Sequence, residues 1–144
     1  LDVLLVPGGS GRRQQQRDER TLNFIRTQYP RLHYLASVCT GTFILAEAGL
    51  LDTRVATTHR SALEELAQYR DIQVTRARLT RTGNVICAAG VSSGIDLALY
   101  LVGEVFDAEM AERIAAHIEY EHTPHLPATS ANGDSEVSQC PTPP

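Results

Sequence analysis

Short apolar runs that break at turn residues and alternate with helical stretches dominate this sequence. Few architectures accommodate that pattern. Leu1-Asp2-Val3-Leu4-Leu5-Val6 reads as a buried strand and stops at the turn Pro7-Gly8-Gly9-Ser10-Gly11. Asp18–Tyr29 reads as a helix with Leu22, Ile25 and Tyr29 on one face, ended by Pro30. Leu32–Val38 is a second strand. Thr42–Ala48 is a short helix, apolar almost all round, stopped by Gly49. Val55–Thr58 is a short strand. Ser61 and Glu64 have the spacing of a capping box that opens a helix to about Tyr69. Two strands, near Ile72–Leu79 and Asn84–Ala88, turn at Thr82-Gly83-Asn84. A long apolar helix spans Ile95–Phe106. Asp107 caps a last helix to about Tyr120, with Met110, Ile114 and Ile118 inward. Alternation of this kind predicts an α/β fold around a mostly parallel sheet.

With 144 residues the chain has the length of one domain. Opening on a core strand, with no initiator Met, points to missing sequence upstream. Residues 123–144 hold five of the seven prolines with many Ser, Thr and Asn, and read as a disordered tail. The folded part is therefore residues 1–122. No apolar run reaches the length of a membrane span. Cys39, Cys87 and Cys140 are too few and too scattered for a disulfide framework or a paired-cysteine metal site, which predicts a reducing, cytoplasmic location. All 13 basic residues are arginine, so chemistry that needs a lysine Schiff base or a P-loop lysine is excluded. The net charge of −4 offers no general attraction to nucleic acid or anionic membranes. Residues 1–86 carry twelve arginines against eight acids, whereas residues 87–144 carry one against nine. The acidic half reads as a solvated helix and tail.

Cys39 is the most informative position. In Ser37-Val38-Cys39-Thr40-Gly41-Thr42 an apolar strand ends and an apolar helix begins, which holds the side chain at the ligand-binding edge of an open sheet. Gly41 permits a tight turn. The helix directs its positive end at the sulfur, and the Thr40 amide faces the same space, where it can stabilise an oxyanion. This is the logic of a nucleophile elbow built with cysteine. A small buried structural thiol fits the same position. His59 ends a neighbouring strand, as a base or orienter for Cys39 or as an ordinary hydrogen-bonded residue. Gly9 lies in a glycine-rich turn whose amides can face an anion, although no GxGxxG is completed and, taken alone, a plain turn explains it better. Ser92-Ser93-Gly94-Ile95-Asp96 reads as a helix cap with an acid in the first turn, a catalytic serine being the lesser alternative. Arg12, Arg13, Arg17 and Arg20, near the glycine turn, read as a solvated basic face, with phosphate or carboxylate binding the lesser alternative. His33, His117, His122 and His125 lack metal-ligand spacing. Cys87 and Cys140 receive no role.

Taken in order, several segments resemble the ThiJ/PfpI superfamily of class I glutamine amidotransferase-like proteins. They are Asp2-Val3-Leu4-Leu5-Val6-Pro7-Gly8-Gly9, Ser37-Val38-Cys39-Thr40-Gly41 through Leu50-Leu51-Asp52, Ala56-Thr57-Thr58-His59, and Ala89-Gly90-Val91-Ser92-Ser93-Gly94-Ile95-Asp96-Leu97-Ala98. The resemblance covers about residues 1–122. It is greatest to the isonitrile hydratase branch and to the amidase-like sensor domains of AraC-type regulators. Thr40 after Cys39, where the protease branch has His, separates the chain from that branch. The resemblance implies a flavodoxin-like three-layer sandwich with a mostly parallel sheet, lacking the family's first strand and helix. It implies Cys39 as nucleophile, Gly9 and Thr40 as donors of backbone amides, and His59 at a position where several branches keep an active-site histidine. Arg60 replaces a bulky aromatic. The family's acidic partner of the cysteine lies on the first strand, and no residue of this chain matches it.

Two functions stay open on this basis. The first is cysteine-dependent hydration or hydrolysis of a small molecule, such as an isonitrile going to an N-formamide, with no metal or organic cofactor and no nucleic-acid or membrane partner. The second is a non-catalytic sensor or regulator-like module, or a stress-related glyoxalase or deglycase-type member. The resemblance implies a homodimer. A sheet lacking its first strand would expose apolar surface and a bare edge, so this stretch alone is expected to be poorly soluble or partner-dependent.

Overall fold

The computed structural model describes residues 1–121, 124 and 127–129. Its centre is a four-stranded sheet. The strands are β1 (Val3–Val6), β2 (Tyr34–Val38), β5 (Leu79–Thr82) and β6 (Val85–Ala88), in spatial order β1-β2-β6-β5. β1, β2 and β6 run parallel, and β5 closes antiparallel on β6. The helices are α1 (Arg12–Gln15), α2 (Glu19–Gln28), α3 (Thr42–Glu47), α4 (Leu63–Leu66), α5 (Ser93–Val105) and α6 (Ala108–His117). β3 (Val55–Ala56) and β4 (Gln73–Val74) form a separate parallel pair.

The alternation of side chains along each strand makes three layers. Val6, Leu35, Val85 and Cys87 lie in the core under α2 and α3, with Leu22, Ile25, Phe43 and Leu45. Ala36, Ile86, Ala88 and Leu79 face the opposite way and pack on Leu97, Tyr100 and Leu101 of α5. The sheet is thus sandwiched between helices, as the α/β expectation requires. Asp18 caps α2 by accepting from the Arg20 amide at 3.2 Å, and Asp107 caps α6 by accepting from Met110 at 2.7 Å.

Several local expectations are corrected. The strand expected at Ile72–Leu79 is two strands. Thr75 Oγ1 accepts from the Ala77 amide at 3.3 Å, a local turn that redirects the chain from β3 to β6. No capping box opens at Ser61. The His59 ring accepts from the Ser61 amide at 3.3 Å, and the chain makes a 3-10 turn, Arg60–Ala62, before the four-residue α4. Ser92 precedes α5 but makes no side-chain cap; its hydroxyl accepts from Arg78 at 3.2 Å. The buried face of α6 is Ala111 and Ala115, and Ile118 is half exposed. Small residues win that face because α5 presents Gly103 there, 4.0 Å from the Ala111 Cβ if it carried a Cβ of its own.

β1 is not wholly buried either. It forms one edge of the sheet, and Leu1, Val3 and Leu5 are exposed. At the other edge Ala128 hydrogen-bonds to β5, donating to Leu79 and accepting from Arg81, both at 3.0 Å. Residues 123, 125, 126 and 130–144 of the stretch read as a tail, among them His125 and Cys140, lie outside the described residues, as does His122. No helix among the described residues is long and apolar enough to cross a membrane.

Candidate active site

β2 delivers Cys39 to the carboxyl edge of the sheet. Cys39 opens a 3-10 turn, Cys39–Gly41, that runs directly into α3. Its φ is +57°, in the left-handed region that non-glycine residues rarely occupy. Such a conformation costs on the order of 1–3 kcal/mol and persists only when its surroundings over-determine it. Two hydrogen bonds do so here, with a third from Thr42, whose single hydroxyl proton is shared with the Thr57 carbonyl. The Cys39 amide donates to the Ala89 carbonyl at 2.8 Å, and the Cys39 carbonyl accepts from Thr58 Oγ1 at 2.8 Å and Thr42 Oγ1 at 3.2 Å.

Two glycines let the first turn press against this elbow. A Cβ on Gly41 would stand 2.3 Å from the Val6 carbonyl oxygen, and one on Gly8 would stand 2.6 Å from the Thr40 amide nitrogen. Gly41 itself has an ordinary helical φ of −59°. It is needed for space, whereas the sequence suggested turn freedom; the unusual backbone falls on Cys39 instead. The Gly9 amide donates to Thr40 Oγ1 at 3.1 Å, tying turn and elbow together.

Cys39, Thr40, Gly9 and His59 line one cavity of about 310 Å³. His59 is fixed on two sides. Its Nδ1 meets Ser61 Oγ at 2.8 Å and accepts from the Ser61 amide, and its ring lies against Gly90, where a Cβ would come within 3.1 Å of Cδ2. Because an amide can only donate, the proton of the neutral ring belongs on Nε2. A second cavity of about 1280 Å³ shares His59 and Val91 with the first. Among the described residues no three His, Cys, Asp or Glu side chains gather as a metal ligand set.

The basic cluster does not behave as one solvated face. Arg12 is buried, paired with both carboxylate oxygens of Glu65 at 2.7 and 2.6 Å, and its guanidinium sits 3.9 Å above the Phe43 ring. Its neighbour Arg13 stays exposed and lines the Cys39 cavity.

Beneath the elbow lies a nest of buried hydroxyls. Ser37 Oγ meets Thr42 Oγ1 at 2.9 Å, and Thr42 Oγ1 also reaches the Thr57 carbonyl at 2.9 Å. Cys87 is buried among them, and burial pushes its thiol up from the ordinary cysteine range. Thr57 Oγ1 is buried with no hydrogen-bond partner among the described residues. Sequence reasoning missed Thr42, Thr58 and Ala89 as supports of Cys39 and Val91 as a wall, and it offered an anion-binding role for Arg13 only as the lesser alternative. A threonine pair at a strand end, Thr57-Thr58, was the available signal for the first group.

The family model described as DJ-1/PfpI matches residues 1–104. An isonitrile hydratase of Pseudomonas putida is 39% identical over 138 residues, which are 96% of this chain and 59% of that protein. The HTH-type transcriptional regulator CdhR of Pseudomonas aeruginosa is 35% identical over 82 residues, 56% of this chain and 24% of the regulator. The crystal structure of a ThiJ/PfpI family protein from Pseudomonas syringae superposes with a TM-score of 0.78 at 40% identity, covering 90% of this chain and 54% of that one. The chain thus spans somewhat more than half the length of the hydratase and of this structure.

Proposed function

The chain belongs to the DJ-1/PfpI family, and on that premise we propose that it carries the nucleophilic half of a cysteine-dependent hydratase site for a small electrophile, an isonitrile in the first instance. The observation that carries this reading is the left-handed backbone of Cys39, held by hydrogen bonds from its amide and to its carbonyl, beside a cavity it lines with His59, Thr40 and Gly9. A conformation that costs free energy and is held by dedicated hydrogen bonds suits a side chain whose aim matters.

The chemistry follows from the groups present. The Cys39 thiolate adds to the terminal carbon of the isonitrile, and that carbon takes a proton, giving a thioimidate. Water then adds to the same carbon, the nitrogen takes a proton, the carbon–sulfur bond breaks, and the N-formamide leaves with the thiolate regenerated. His59, anchored at Nδ1, is placed to move protons at Nε2. The Thr40 hydroxyl, accepting from the Gly9 amide, retains its own proton for a developing negative charge. The Gly9 amide, expected as a donor to that charge, already donates to Thr40, and the Thr40 amide is the backbone donor this proposal keeps. A homodimeric assembly in the cytoplasm belongs to the same proposal; light scattering tests the dimer.

The direct test is to incubate the 144-residue chain with an alkyl isonitrile and follow the N-formamide by mass spectrometry. Formamide that appears with the wild type and vanishes in Cys39→Ser supports the reading. No formamide above buffer removes hydratase activity from this chain. The similarity to CdhR favours a second reading, a ligand-binding sensor. Saturable isonitrile binding without turnover would select it.

A further inference from the structure

The two cavities that meet at His59 differ in charge from the rest of the molecule. Five arginines line them and no Asp or Glu does, although the chain as a whole carries −4. Two of the five are already neutralised, Arg12 by Glu65 and Arg78 by Asp96. The other three, Arg13, Arg60 and Arg76, are exposed, and their side chains have no hydrogen-bond or ion-pair partner among the described residues. Arg13 shares the smaller cavity with Cys39, while Arg60 and Arg76 line the larger one. A concave surface of one sign, walled by protein, focuses the field and concentrates counter-ions. Unpaired guanidinium groups present a planar fork that matches a carboxylate.

We propose that the Cys39 site selects small electrophiles bearing a carboxylate, seated on Arg13 with Arg60 and Arg76 drawing the anion in. This rests on Cys39 being the reactive nucleophile and adds the class of molecule it meets. An apolar isonitrile uses the thiol alone; a carboxylate-bearing electrophile uses the thiol and the arginine together.

Two alkylating reagents of nearly equal size isolate the charge. The thiolate of Cys39 attacks the methylene of iodoacetate or of iodoacetamide, a carbon–sulfur bond forms and iodide leaves. The ratio of the iodoacetate rate to the iodoacetamide rate is measured at Cys39 by peptide mass spectrometry, at low ionic strength, with glutathione in the same buffer as the free-thiol reference. We expect the ratio at Cys39 to exceed that of glutathione by roughly threefold, the scale of an exposed ion pair. Salt near 1 M, which shortens the Debye length to about 3 Å, should erase the excess. Arg13→Gln should bring the ratio down to the free-thiol value, and Arg60→Gln should lower it partway. Arg17→Gln, on the same segment but outside both cavities, should leave it unchanged.

A wild-type ratio equal to that of glutathione, or an excess that survives Arg13→Gln, overturns the proposal while leaving Cys39 a nucleophile. If Cys39 reacts with both reagents no faster than glutathione, the nucleophile reading falls and this one falls with it.

Discussion

Thr57 and Thr58 are adjacent, equally buried and chemically identical, yet the structure gives them opposite values. Thr58 Oγ1 donates to the Cys39 carbonyl at 2.8 Å, whereas Thr57 Oγ1 meets no partner among the described residues. Valine is close in shape to threonine and deletes only the hydroxyl's hydrogen bonding. Thr58→Val should therefore cost about 1 kcal/mol and slow alkylation of Cys39, because the strained φ loses one of its tethers. Thr57→Val removes a buried hydroxyl that returns nothing, so it should be neutral or stabilising by up to about 1 kcal/mol. Urea melts of the two variants, paired with iodoacetamide rates at Cys39, test both. Equal destabilisation by the two would contradict this division of roles.

Between elements, Asp96 is a buried polar tie. It lies in the first turn of α5, almost fully buried, and accepts from Arg78 Nε at 2.5 Å and from the Tyr120 hydroxyl at 3.1 Å. One carboxylate thus joins the approach to β5, the start of α5 and the chain leaving α6. Removing a partner from such a site leaves an uncompensated buried charge, which outweighs the attraction lost. Arg78→Ala should destabilise by about 3–5 kcal/mol, and pairing it with Asp96→Ala should recover part of that loss. A double variant no more stable than Arg78→Ala alone would show that Asp96 matters through packing and not charge. Arg12 makes a second such tie, joining α1 to α4 through Glu65 and to α3 through Phe43.

Across the whole molecule, the groups that burial shifts upward are acids that fold in their neutral form. Burial raises the Cys87 thiol and the phenols of Tyr69 and Tyr100. Each holds its proton more tightly folded than unfolded. Between its unfolded and folded values, the folded state therefore binds more protons and stability falls as pH rises. From pH 7 stability should be level to about pH 8.5, decline as the unfolded thiol ionises, and decline more steeply above about pH 10 as the tyrosines join. Cys87→Ala should flatten the first part of that decline and leave the second. Chemical denaturation from pH 7 to 11 checks this; an unchanged slope near pH 9 in the variant would exclude Cys87 as its source. At the same scale, the exposed edge of β1 presents Leu1, Val3 and Leu5 to solvent. Leu5→Lys should raise the concentration at which the chain begins to scatter light.

In the sequence by itself, local periodicity and turn chemistry were enough to read the alternation of strands and helices and the place of Cys39 at a strand end, but not α1 or the break between β4 and β5. The resemblance also put Gly9, Thr40 and His59 beside Cys39, and they line one cavity with it. His59, however, arrives from β3, which pairs with β4 outside the sheet that carries Cys39, so convergence of strand ends in one sheet is not what brings it there. Tertiary structure alone decided what hydrogen bonds cross the elbow. Ala89, Thr42 and Thr58 reach Cys39 from 50, 3 and 19 residues away, by way of different elements. The arginine run shows the same division. Nothing in Arg12-Arg13 distinguishes the two residues, but Glu65 lies 53 positions beyond Arg12 and takes it into the interior. Arg13, with no such partner, is left facing the cavity. Spacing along the chain sets which residues sit on one face. Whether a charge is spent on a distant partner or left free for a ligand is set by contacts that only the folded chain brings together.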